Sequence, residues 1–186
     1  MTTLNRFPLL GLWAEEAARR LGYRKDEAES LGHAYAVLYA IRARPHVHAP
    51  TGPEEKEAAR PKARAAHRVR FCGDDLDMAH DVDGRLRGKV GGGRRQTPET
   101  YRSSVQAKFP PGYYERLRTA FHHVLKTFPP RTLQGRRVYD LYDEWKKTCG
   151  VGRLVDLDGL LEWCRRRAGG AAQRVTPAPR RMCQTK

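Results

Sequence analysis

The chain has 186 residues, 39% of them apolar, and a formal charge of +15, with an isoelectric point near 10.1. That length and composition allow one compact domain or two very small ones with a modest core. No run of about twenty apolar residues is present and Met1 to Leu10 lacks the order of a signal peptide, so neither a membrane span nor a secreted route is expected and a soluble, cytoplasmic protein is.

Leu9, Leu12, Trp13, Ala17 and Leu21 recur at helical intervals after Pro8, and Gly22 supplies a left-handed stop, which predicts a first helix. Asp26, with Glu29 three residues on as a capping box, opens a second helix whose stripe is Ala28, Leu31, Tyr35, Leu38 and Ile41 and which Pro45 ends. The short Tyr23-Arg24-Lys25 connection makes the two an antiparallel hairpin. From Arg44 the texture changes to proline, alanine, arginine, histidine and glutamate, which predicts a linker. Phe71 to Val90 is too polar to assign, and Gly91 to Gly93 ends it as a loop.

Thr97 is placed to cap a helix that begins at Pro98 and carries Tyr101, Val105 and Phe109. Tyr114, Leu117, Phe121, Val124, Leu125 and Phe128 give the clearest amphipathic pattern in the chain, closed by Pro129-Pro130. Val138, Leu141, Tyr142, Trp145 and Cys149 form another stripe, and Leu157, Leu160, Leu161 and Cys164 a last one behind a cap at Asp156 or Asp158. The expected fold is therefore all-α: a helical hairpin over 1–43 packed on a helical bundle over 98–168. A basic Pro/Ala/Arg-rich linker over 44–97 joins them, and a disordered basic tail over 169–186 follows.

The charge is unevenly placed. Met1 to Ala43 carries a net +1 and Pro110 to Trp163 a net +2, whereas Arg44 to Phe109 carries +5 and Cys164 to Lys186 carries +7. The excess gathers at Arg60, Lys62, Arg64, Arg68, Arg70, Arg94 and Arg95, and again at Arg165, Arg166, Arg167, Arg174, Arg180 and Arg181. Such runs act as basic arms that bind phosphates by counterion release, with little dependence on sequence and a steep dependence on salt.

Candidate chemical sites are few. Cys72, Asp74, Asp75, Asp77, His80, Asp81 and Asp83, with His67, are dense enough to suggest a metal, but Ala79 and Val90 stand where a calcium loop needs acids. An acidic loop balancing the neighbouring arginines is the expectation, with no metal and no cofactor. His46-Val47-His48 lacks a third ligand, and His122-His123 face different sides of a helix. Neither GxSxG nor GxxxxGK[ST] occurs, so no catalytic residue is assigned and an enzyme is not expected. Trp13, Trp145 and Trp163 belong to the core, and of Tyr113 and Tyr114 only one can point inward. Cys72, Cys149, Cys164 and Cys183 lack CxxC spacing and are expected to be free thiols.

Leu21-Gly22-Tyr23 through Asp26-Glu27-Ala28, then Ser30-Leu31-Gly32-His33-Ala34-Tyr35-Ala36, and later Leu141-Tyr142 and Leu154-Val155-Asp156-Leu157, resemble a family of small bacterial helical proteins with no established function. That resemblance implies a helical bacterial protein and no activity. The expected function rests on charge instead: binding of DNA or RNA, with DNA favoured because no RNA-reading sheet is legible. The alternative is an adaptor or accessory subunit that docks on an acidic protein surface or completes a larger ribonucleoprotein complex, with the Tyr114 to Phe128 helix as its interface, and no membrane partner is expected.

Overall fold

In a computed structural model of the protein, described over residues 1–42, 67–88, 98–151 and 154–172, the centre is occupied by α1 (Arg6–Arg20). Asn5 caps it, its side chain accepting from the Phe7 N–H at 3.3 Å. Every residue from Pro8 to Ala18 is buried, so α1 is enclosed on all sides and not only along the stripe legible in the sequence. α2 (Lys25–Arg42) returns across it after Gly22, whose φ of +93° makes the turn. The two helices meet at glycines, because a Cβ on Gly32 would lie 2.6 Å from the carbonyl oxygen of Gly11. The box that opens α2 uses Glu27 in place of the expected Glu29: the Arg24 N–H donates to Glu27 at 3.3 Å.

The remaining helices are α3 (Pro98–Gln106), α4 (Tyr113–Lys126), α5 (Pro130–Gly135), α6 (Val138–Cys149) and α7 (Leu157–Ala172). Trp13 of α1 meets Phe121 of α4 edge-on at 4.7 Å and Trp163 of α7 at 6.4 Å, and Phe121 tilts against Trp145 of α6 at 6.2 Å. Aromatic packing thus ties four helices into one core. The Asp158 N–H donates to Asp156, which settles the cap of α7. α7 continues to Ala172, past Gly169 where the tail was expected to start, and 173–186 lie outside the described residues. Among the described residues no helix is long and apolar enough to cross a membrane.

The all-α expectation is overturned by two antiparallel sheets. In the first, β1 (Thr3–Asn5) pairs with β6 (Leu154–Asp156), which also pairs with β5 (Gly150–Val151), clasping the N-terminus to the start of α7. In the second, β2 (His67–Phe71), β3 (Asp74–His80) and β4 (Leu86–Gly88) form a meander within the stretch expected to be linker. β3 alternates by strand period: Asp74, Leu76 and Met78 are buried, and Asp75 and Asp77 face out. Cys72 and Gly73 connect β2 to β3 with φ of 45° and 77°, the pair of left-handed residues that a two-residue hairpin turn demands.

Tyr35 of α2 anchors this sheet. Its hydroxyl donates to the buried Asp74 carboxylate at 2.6 Å and accepts from the Val138 N–H at 3.0 Å, joining α2, β3 and α6. Asp26 of α2 accepts from Arg85 at 2.9 Å and from Arg87 at 3.3 Å, which fixes β4.

Candidate nucleic-acid interface

An enclosed helix that contains Glu15 and Glu16 must bury them, and both are at most 6% exposed. Glu29 of α2 joins them at 1%. Buried carboxylates require charged partners. Arg19 approaches Glu15 at 2.8 Å, Glu16 at 3.6 Å and Glu29 at 3.8 Å. Arg102 of α3 pairs with Glu29, and Arg118 of α4 lies 3.4 Å from Glu16. Burial, opposed by Arg19 and reinforced by the neighbouring carboxylates, pushes the Glu15 carboxyl up to about 7. Burial raises Glu16 as well, against the pull of Arg19 and Arg118.

Three arginines therefore answer three carboxylates inside, and the cations around them are surplus. They line a cleft of about 600 Å³ between the end of α1, the start of α2 and α4, formed by Glu16, Arg19, Arg20, Tyr23, Lys25, Arg118, Thr119, His122 and Lys126. Among the described residues Arg20 donates only to the Phe128 carbonyl, at 3.4 Å. Lys25 and Lys126 are exposed, and among the described residues neither has a carboxylate within 4 Å. His122 sits 3.6 Å from Glu16. Partial burial, followed by Lys126, His123 and Arg118, lowers its basicity, so it adds no charge at neutral pH.

A second groove, of about 770 Å³, runs along the other side of α4 against α7. Its floor is Ala120, Leu161, Cys164 and Ala168, and its rim carries Arg116, His123, Lys126 and Arg165 beside the carboxylate of Glu115. Thr119 and Lys126 belong to both clefts, so α4 is a cationic ridge with a depression on each flank. Its apolar face, Tyr114, Leu117, Phe121, Val124 and Leu125, is buried in the core. Docking through this helix, the alternative suggested from sequence, would use its exposed side.

Of the arginines singled out in the sequence, Arg165 alone lines either depression among the described residues. It is 80% exposed and pairs with Glu162 at 2.7 Å. Arg166 also approaches Glu162, and Arg167 turns to Glu144 at 3.1 Å and covers the Phe128 and Trp163 rings. Arg165, Arg166 and Arg167 thus stand on a helix and do not form an arm. Arg68 and Arg70 stand on the outer face of β2 opposite Asp77 and Asp75, at 3.9 and 3.1 Å. Arg60, Lys62, Arg64, Arg94, Arg95, Arg174, Arg180 and Arg181, with His46 and His48, lie outside the described residues.

Arg20, Lys25, Arg116, Arg118 and Lys126 went unassigned in the sequence. A count by helix would have found the ridge: α4 has three basic residues against Glu115 alone, which accounts for the whole +2 of Pro110 to Trp163.

The acidic segment is a strand whose side chains diverge. Asp74 points inward to Tyr35, Asp75 and Asp77 point outward to arginines, and Asp81 accepts from the backbone of Asp83 and Arg85 and from Arg87. Among the described residues no three histidine, cysteine or acidic side chains gather as a metal site would require. Cys72, Cys149 and Cys164 are buried free thiols, pushed by burial up to about 12, 11 and 12. Such thiols stay protonated and are poor nucleophiles. No family model, no curated protein and no solved structure matches this chain.

Proposed function

We propose that the protein binds nucleic acid through its phosphates, without catalysis and largely without regard to base sequence. The observation that carries this reading is the surplus of Arg20, Lys25 and Lys126 beside a core whose other charges are matched. Cations free of carboxylate partners displace the counterions condensed on the nucleic acid at no cost in broken ion pairs. Arg116 extends the same face across α4. In this reading the basic stretches around Arg60 to Arg64, Arg94-Arg95 and Arg174 to Arg181 add further phosphate contacts. The outer face of β2 and β3 presents Arg68, Arg70, Asp75 and Asp77 in place of the aromatic side chains with which sheets stack RNA bases. Duplex DNA is therefore the expected first partner.

The apolar floor of the groove between α4 and α7 favours a second reading, an acidic protein segment seated there as the adaptor hypothesis requires. Titration of the purified protein against labelled duplex DNA, single-stranded DNA and structured RNA at rising salt separates the two. Nucleic-acid binding predicts affinity at low salt that falls steeply as salt rises. No binding to any of the three at low salt would refute it and leave the protein partner.

A further inference from the structure

The groove between α4 and α7 differs from the cleft on the other flank of α4 in its apolar floor. Ala120, Leu161 and Ala168 are half-buried there and Cys164 is buried, so water rests on carbon and a ligand gains by displacing it. A sugar-phosphate backbone, charged at every residue, brings little apolar surface to such a floor.

The rim charges narrow the choice of apolar ligand. Arg165 is already paired with Glu162 at 2.7 Å, and Glu115 with Arg118 at 3.3 Å. Arg116 and Lys126 have no carboxylate within 4 Å among the described residues. Arg116 is also held in place. Its guanidinium lies 5.0 Å from the centre of the Tyr113 ring, and the Tyr113 hydroxyl donates at 2.7 Å to Asp158 at the start of α7. A ring beneath a guanidinium fixes the cation without neutralising it. Along α4, Arg116 and Lys126 stand about 15 Å apart. That span exceeds the reach of a small acid and matches about three turns of an α-helix. The trough between two packed helices is also the seat that a third helix takes. A second copy of this chain is a poor occupant, because each copy carries +15.

We propose that this groove docks an amphipathic helix of an acidic partner protein, its apolar stripe on Ala120, Leu161 and Ala168 and its carboxylates against Arg116 and Lys126. The proposal rests on the second of the two readings above and gives its partner a conformation and a charge pattern. It is separable from nucleic-acid binding, which has no use for Leu161 or Ala168.

A displayed library of random peptides of about twelve residues, long enough for three turns, is selected on the full chain, and the recovered peptides are measured by fluorescence anisotropy. They are expected to combine helical apolar spacing with acidic flanks and to gain helical circular dichroism on binding. Ala168→Arg fills the groove and should weaken them at least about tenfold, with duplex DNA affinity kept or raised. Arg116→Glu/Lys126→Glu, at exposed positions, should weaken them as much even if the Ala168 variant fails to fold. A selection that yields no binder, or binders that lack acids, stay extended or are indifferent to the folded variants, overturns the proposal. Duplex DNA that loses affinity to Ala168→Arg as the peptides do assigns the groove to nucleic acid and overturns it too. Peptide docking by a protein that binds no nucleic acid upholds the proposal and removes the nucleic-acid reading alone.

Discussion

The β2–β3 hairpin and the α4 ridge are both rich in arginine and lysine, and they use them in opposite ways. On the hairpin, Arg68 and Arg70 each face an aspartate across the strand. On the ridge, Arg118 answers a buried glutamate, and Arg116 and Lys126, like Lys25 at the start of α2, have no carboxylate within 4 Å among the described residues. A run of basic residues therefore does not locate a binding surface; the lack of a nearby acid does. An arginine already paired must give up its partner before it takes a phosphate, and an unpaired lysine gives up only counterions.

The largest expected effect lies beneath the hairpin. Tyr35→Phe removes the hydroxyl that bonds both Asp74 and the Val138 N–H, taking one hydrogen bond from a buried carboxylate and the acceptor from a buried N–H. A loss of about 3 kcal/mol in stability is expected by urea denaturation. Nucleic-acid affinity of the folded variant should be unchanged, because neither group lines the clefts.

Next comes the pH response beneath the ridge. The Glu15 carboxyl is raised from its ordinary 4.5 to about 7, so the folded state binds a proton more tightly than the unfolded chain. The associated stability is fully present below about 4.5 and is lost as pH rises to about 7, above which the curve should level. Glu15→Gln should remove this slope, a difference on the order of 3 kcal/mol across the window, discounted by the loss of a partner for Arg19. Denaturation midpoints of the two proteins between pH 4 and 8 check it, and parallel curves would count against it.

Smallest are the surface pairs. Arg70→Ala breaks an exposed contact with Asp75, both side chains being more than half exposed, and should cost less than about 1 kcal/mol in thermal or urea unfolding. Lys25→Ala and Lys126→Ala should cost no measurable stability, since no ion pair is lost. Equal losses in both places would erase the contrast between paired and surplus charge.

Much of the helical framework was legible because the stripes of α4, α6 and α7 repeat at helical spacing with clear stops at Pro129, Gly150 and the Asp156 cap. The strands were not, for two physical reasons. Asp-Asp-Leu-Asp-Met-Ala-His has strand alternation, but Asp74 stands among the inward positions, where Tyr35, 39 residues away in sequence, donates to it. The turn uses Cys72 where asparagine or aspartate commonly marks such hairpins. The site was less legible still. Arg165 was singled out for its charge run, whereas Arg20, Lys25 and Lys126 come from three helices and converge only through the fold. Glu29 looked like half of a capping box because its spacing from Asp26 is right; tertiary packing against Arg102 and Arg19 gave it another role.

The central claim is that unpaired cations, and not paired ones, bind phosphate. Its most direct test is the salt dependence of duplex DNA affinity for three proteins: the wild type, Lys25→Ala/Lys126→Ala, and Arg68→Ala/Arg70→Ala. Each lost phosphate contact lowers the slope of log affinity against log salt by about 0.9. The lysine pair should therefore flatten the slope by about 2 and weaken binding at low salt, and the arginine pair should leave both nearly unchanged. An equal fall in slope for the two variants, or a fall for the arginine pair alone, would contradict the account.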